Sequence, residues 1–192
     1  MKKQLGLVID QERCIGCEAC TVACKNENYG SKGYIRVQTE QTIQKDIPHG
    51  TDPNVRMSFM PLVCNHCDNP PCAGACPIDA IQKRPDGIVV LDQDLCDGCQ
   101  SCLDACPYEA ISFDDKNDKA EKCNLCVHRI EKGLEPFCVI CCEGQAIYFG
   151  NLNDTDSLPG RLAKSESAFS PMPEKETRPT TRYCPPKAPL GI

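Results

Sequence analysis

The sequence has no tryptophan and only five phenylalanines and five tyrosines in 192 residues, so it lacks the large rings that usually dominate a hydrophobic core. Something other than side-chain packing is expected to fill its interior. It also lacks a basic excess. The formal net charge of −6 excludes the cationic face with which nucleic acid is normally met. Long hydrophobic runs are missing as well: the longest purely aliphatic stretch is IVVL at 88–91, against the roughly 20 apolar residues of a membrane span. The opening MKKQLGLVIDQERC turns polar too early for a secretory signal and has no twin arginine. Any membrane association is therefore expected to run through a partner, with the cytoplasmic or periplasmic side left open. No serine triad, phosphate loop or dinucleotide fingerprint occurs, and the glycines stand singly in turns.

What abounds is cysteine, with 18 residues, 17 of them before residue 143. They form four groups: CIGCEACTVAC (Cys14, Cys17, Cys20, Cys24), CNHCDNPPCAGACP (Cys64, Cys67, Cys72, Cys76), CDGCQSCLDACP (Cys96, Cys99, Cys102, Cys106) and CNLCVHRIEKGLEPFCVICC (Cys123, Cys126, Cys138, Cys141, Cys142). Each opens C-x-x-C and closes with a cysteine four residues after the previous candidate ligand. Cys76, Cys106 and Cys142 are each followed five residues later by Ile, and Asp10 and Asp92 each precede a first cysteine by four. This is an internal repeat. LGLVID (5–10) and GIVVLD (87–92) read as strands, the second entered through the Asp86-Gly87 hairpin signal. TVAC, AGAC, LDAC and VICC read as single helical turns bearing the last cysteine, stopped in two groups by Pro77 and Pro107. Short strands and helices strung between ligand loops predict ferredoxin-like α+β units.

Three chemistries compete for these thiols. Disulfides belong to oxidising compartments, for which the sequence carries no signal. Zinc wants a tetrahedron, usually from two distant C-x-x-C pairs, and the second and fourth groups could supply such pairs. The first and third instead put three thiols on one tight loop, which suits a cubane whose iron corners each take one thiolate. C-x₂-C-x₂-C-x₃-C-P is the bacterial ferredoxin run, in which the fourth cysteine ligates the other cluster. A four-residue step carries that sulfur about 6 Å along a helix axis, away from its own loop. Sixteen sulfurs at matching spacings read as four cubanes.

The order of the motifs, with C-x₂-C-x₄-C-x₃-C-P second and C-x₂-C-x₁₁-C-x₃-C last, resembles the four-cluster iron–sulfur subunit of molybdopterin oxidoreductases of the dimethyl sulfoxide, polysulfide, thiosulfate, tetrathionate and arsenate reductase type. VIDQERCIGCEACTVACKNEN, VCNHCDNPPC, DLCDGCQSCLDACPYEAISF, KCNLCVHRIEKGLEPFCVICC and FGNLND carry the likeness over about residues 4–158. RPTTRY (178–183) loosely matches a partner-facing segment of the family. The resemblance implies that groups one and four exchange ligands, as do two and three. One cubane would take Cys14, Cys17, Cys20 and Cys142, and a second Cys123, Cys126, Cys138 and Cys24. A third would take Cys64, Cys67, Cys72 and Cys106, and a fourth Cys96, Cys99, Cys102 and Cys76. Relatives with tryptophan at the second position of the third motif hold a three-iron cluster; Cys99 here implies four 4Fe–4S centres. The implied architecture is two ferredoxin-like units, residues 55–111 inserted into 1–54 plus 112–150, with an extended partner-binding tail at 151–192. The implied role is non-catalytic electron transfer between a membrane quinol or quinone subunit and a molybdenum or tungsten pterin subunit. The first-and-fourth pair would lie toward the pterin and the second-and-third pair toward the membrane. A free polyferredoxin and a zinc-stapled binding module are the rival readings.

The fourth group departs from the pattern, because Cys141 is an extra thiol and Glu143 replaces the usual proline. Spacing favours Cys142 as ligand and makes Cys141 a small buried hydrophobe. Cys184, alone in a proline-rich tail, is assigned no role. His66 and His128 are expected beside the metal or at the surface, since the cysteines already complete the ligand count. Arg129 and Lys132 are either donors toward a cluster or a partner, or solvated loop charges. The irregular stretch 28–60 is a candidate second contact surface.

Overall fold

A computed structural model describes residues 3–29, 33–39, 51–53 and 55–187. Strand β1 (Leu5–Asp10) leads through the first cysteine loop into helix α1 (Ala19–Asn28). Strands β2 (Arg36–Thr39) and β3 (Phe59–Leu62) pair antiparallel. Much of the stretch 28–60, expected to form a contact surface, lies outside the described residues. Helix α2 (Pro71–Gly74) carries Cys72, and β4 (Ile81–Lys83) with β5 (Val89–Leu91) makes a hairpin. Helix α3 (Ser101–Ala105) precedes a second hairpin of β6 (Ile111–Asp114) and β7 (Lys119–Lys122). Helices α4 (Val127–Ile130) and α5 (Phe137–Ile140) bracket the long loop of the fourth group. Strand β8 (Ile147–Asn151), helix α6 (Leu158–Ala163), a 3₁₀ turn at Pro173–Lys175 and strand β9 (Arg182–Cys184) complete the chain.

The repeat in the sequence is a repeat in the backbone. Asp10 and Asp92 accept from the amides of Glu12 (3.0 Å) and Asp94 (2.9 Å), turning the chain into the first cysteine of groups one and three. The isoleucine five residues past the last cysteine opens β4, β6 and β8 in turn, as Ile81, Ile111 and Ile147. Between cysteine and isoleucine, Asp79, Glu109 and Gln145 all take left-handed backbone. The prolines act as expected, since α2 and α3 stop before Cys76 and Cys106, and Cys106 is extended at ψ 106°. Helix α1 departs from the single turn expected. Lys25 follows Cys24 where Pro follows Cys76 and Cys106, and the helix runs ten residues.

Strand β1 is central in a sheet of order β8-β1-β9, antiparallel to β8 and parallel to β9. Being covered on both faces, it buries Leu5, Leu7, Val8 and Ile9 in succession. Cysteines are part of the cores. One core joins Leu7, Ile9, Ile35, Val63 and Tyr183 to Cys20, Cys24 and Cys138. Another joins Ile81, Val89 and Ile111 to Cys72 and Cys102.

The tail is not extended throughout: helix α6 lies within it, and residues 177–184 fold back onto the rest of the protein. Tyr183 is buried, its hydroxyl donates to Pro61 O at 2.9 Å, and β9 completes the sheet. Within RPTTRY, Thr180, Thr181 and Tyr183 are buried while Arg178 is exposed, and the Thr180 amide donates to Asn65 O at 2.9 Å. Local sequence carries no sign of this, because a three-residue strand gains its buried surface only from a partner some 170 positions away. Cys184 is buried beside Val8 and Leu152.

Candidate iron–sulfur sites

Each C-x-x-C loop has the same left-handed residue before its second cysteine. Gly16, His66, Gly98 and Leu125 have φ of +69°, +42°, +78° and +57°. Glycine suits this backbone without steric cost. At Gly98 a side chain is doubly excluded, since a Cβ would lie 2.5 Å from Asp118 O. The turn coils the loop around the space its thiols face.

No two of the 18 cysteines are joined in a disulfide. Burial raises Cys14, and burial pushes Cys20 up to about 11; in both, the negative charge of Cys142 adds to the rise. Burial likewise raises Cys138, with Cys123, Cys126 and Cys24 adding to it. Burial takes Cys67 to about 11 and Cys72 to about 12, with Cys64 and Cys106 as charged neighbours of both. Cys102 reaches about 11 through burial, with Cys96, Cys99 and Cys76 contributing. The thiols thus gather in four neighbourhoods, each drawing its fourth member from another motif. Neighbourhoods also touch: Cys138 feels Cys20, Cys123 feels Cys64, and α2 packs on α3.

Two of these neighbourhoods enclose cavities. Cys64, Cys67, Cys72 and Cys106 line one, with His66, Val89, Ile111 and Lys122. Cys24, Cys123, Cys126 and Cys138 line the other, with Leu7, Ile35 and Leu125. Among the described residues, no three His, Cys, Asp or Glu side chains converge closely enough for a single metal ion. Thiols ringing an apolar space, too spread for one ion, fit a polynuclear cluster. Amides already point at several sulfurs. Leu125 N donates to Cys123 Sγ at 3.3 Å, Ala146 N to Cys142 Sγ at 3.2 Å and Ala110 N to Cys106 Sγ at 3.5 Å. The Asn28 amide donates to Cys24 O at 2.9 Å and reaches Cys24 Sγ at 3.6 Å. Such donors stabilise thiolate and tune a cluster.

The remaining candidates fall into place. Arg129 is a clamp rather than a cluster donor or a solvated charge. Its guanidinium binds Glu135 O at 2.8 Å and Glu27 at 3.1 Å and stacks on Phe137, tying the long loop to α1. His128 is a surface residue paired with Glu27 at 2.7 Å. Lys132 is exposed. Cys141 is only half-buried, a correction, because the turn after α5 ends at the surface. Cys17 and Cys99 are exposed. Two residues escaped sequence reasoning. Asn28 ends the stretch VIDQERCIGCEACTVACKNEN but is assigned no role by it. Lys122 is buried, with its ammonium on Val89 O and on Cys123 O (2.8 Å).

Comparison with known families agrees with this geometry. A 4Fe-4S dicluster domain matches residues 55–152, and a 4Fe-4S binding domain matches residues 5–26. A subunit of the tetrathionate reductase of Salmonella typhimurium is 40% identical, the match covering 95% of this protein and 72% of the relative. A component of the polysulfide reductase of Wolinella succinogenes is 36% identical over 93% of both proteins. This polypeptide belongs to the iron–sulfur subunits of the molybdopterin oxidoreductases. The arsenate respiratory reductase iron–sulfur subunit of a Shewanella species is another such relative, 32% identical over 94% of this protein and 95% of its own length. The ferredoxin-like domains found here are therefore 4Fe–4S domains.

Proposed function

We propose that this protein is the electron-transfer subunit of a respiratory oxidoreductase, relaying single electrons through four 4Fe–4S clusters. Cys14, Cys17, Cys20 and Cys142 would hold the first, and Cys123, Cys126, Cys138 and Cys24 the second. Cys64, Cys67, Cys72 and Cys106 would hold the third, and Cys96, Cys99, Cys102 and Cys76 the fourth. The observation that carries this reading is the grouping of thiols by charge, with Cys142 against Cys14 and Cys20, Cys24 against Cys126 and Cys138, Cys106 against Cys67 and Cys72, and Cys76 against Cys102. The two cavities, each ringed by four cysteines from two motifs, support it independently.

A cubane bound to thiolates takes up and releases one electron with little movement of its surroundings. The protein supplies the rest. Burial keeps water from the sulfurs, backbone amides hold their charge, and packed helices fix the order of neighbourhoods. That order, first to second through Cys20 and Cys138, second to third through Cys64 and Cys123, third to fourth through α2 and α3, supports a linear path. Exposed Cys17 and Cys99 stand at its two ends.

The partners we infer are a molybdenum or tungsten pterin subunit, which carries the catalysis, and a membrane quinone-interacting subunit. Among the described residues no helix is long and apolar enough to cross a membrane, so attachment would run through the second partner. We further propose that residues 55–111 form a unit inserted into 1–54 plus 112–150, the two sharing core residues, since Val63 and Ile88 pack with Leu7 and Ile9, and Ala120 packs with Ile81 and Val89. Anaerobic purification of the tagged protein from its native host tests the assignment. Co-purification of a large pterin-containing protein is expected; a protein that purifies alone and monomeric would instead be a free polyferredoxin.

A further inference from the structure

His66 holds a position where two of the other loops have glycine and one has leucine, in left-handed backbone that is costly for any residue with a Cβ. It is held there from two sides. Its carbonyl accepts the Thr180 hydroxyl at 2.8 Å, and its Nδ1 accepts the Val89 amide at 3.0 Å. An accepting Nδ1 leaves the proton of the neutral ring on Nε2. The ring is 1% exposed, and Nε2 is buried without a hydrogen-bond partner in the protein. Buried donors left unpaired are rare and destabilising. This one belongs to a ring lining the enclosed cavity of Cys64, Cys67, Cys72 and Cys106.

We propose that His66 Nε2–H donates a hydrogen bond to a sulfur of the cluster held by those four cysteines, and thereby raises that centre's reduction potential. The proposal rests on the ligand assignment above. Its physical basis is that a donor binds the more negative, reduced form of its acceptor more strongly, so the hydrogen bond favours reduction. Leu125 takes the equivalent place in the cavity of Cys24, Cys123, Cys126 and Cys138 and brings no side-chain donor. That second centre takes its side-chain donor from Asn28 on Cys24 Sγ instead, so the two neighbouring centres have the same sulfur ligands and different donors. No proton moves and no bond other than this hydrogen bond is made.

His66→Leu tests it, because leucine already occupies the matching turn in the fourth loop. The full-length protein, isolated anaerobically, is compared with the variant by iron content and by redox titration followed by electron paramagnetic resonance. Iron content should be unchanged. One centre should become about tenfold harder to reduce, equal to about 59 mV for a one-electron couple, with the others unmoved. Wild-type protein labelled with 15N-histidine should also show nitrogen coupling at one reduced centre. Full iron with every potential unmoved overturns the proposal and leaves the ligand sets standing. Wild-type protein without clusters overturns the ligand sets instead. Should the variant lose iron, the labelled wild type decides: coupling upholds the hydrogen bond, and its absence at every centre overturns it.

Discussion

Adjacent thiols in the fourth motif separate ligand from bystander. Cys142 Sγ accepts the Ala146 amide and its charge acts on Cys14 and Cys20, whereas Cys141, half-buried like Cys142, falls outside the repeated four-residue spacing. Cys141→Ala should therefore keep all its iron and Cys142→Ala should lose a cluster; equal iron counts would reject the assignment. Lys122 makes a second residue-scale case. Its charge lowers the thiol pKa of Cys72 and Cys106 on one side and of Cys123 on the other, so it lies between two proposed centres. Lys122→Met removes a cation that favours the reduced form of both. Redox titration should find two potentials lowered, each by about a tenfold change in equilibrium, and two unmoved. The ligands were legible in the sequence because their spacing is local and repeated. His66 was legible only as a histidine beside the metal or at the surface, and Lys122 was not, because burial of a lone polar side chain depends on strands that meet far from it in sequence.

Among the elements, β9 carries the clearest consequence. Tyr183 packs at the centre of the main core and its hydroxyl is satisfied by Pro61 O. Tyr183→Ala should cost about 3–5 kcal/mol, the range for truncating a large buried ring, and Tyr183→Phe about 1 kcal/mol for the lost hydrogen bond. Denaturant unfolding of the anaerobic protein measures both. Limited proteolysis of the isolated protein should nick the exposed stretch 172–176 yet leave β9 bound to the core. A tail released in isolation and protected only in a complex would instead restore the partner-spanning reading. The strand at 5–10 and the hairpin at Asp86-Gly87 could be read from a short apolar run and turn chemistry. The length of α1 could have been anticipated from Lys25 replacing proline, a local signal that the likeness between motifs obscured.

For the molecule as a whole, the thiols answer the shortage of aromatic residues: the space that rings would fill is lined by sulfur. Without iron, burial lifts Cys20, Cys67 and Cys102 to about 11 and Cys72 to about 12, so these thiols hold their protons more tightly than an ordinary thiol. Metal ligation requires thiolate, and iron must displace those protons. Protons therefore compete with iron, and competition strengthens as pH falls. Cluster loss, followed by bleaching of visible absorbance, should accelerate toward acid pH, with protons taken up as thiolates are freed. The central claim is that sixteen of these sulfurs hold four inorganic cubes in a row. The direct measurement is iron and labile sulfide content of the anaerobically isolated protein, with paramagnetic centres counted during stepwise reduction. The account predicts about 16 irons per molecule and four separate one-electron centres. A colourless zinc protein, or one with no reducible paramagnetic centre, would contradict it.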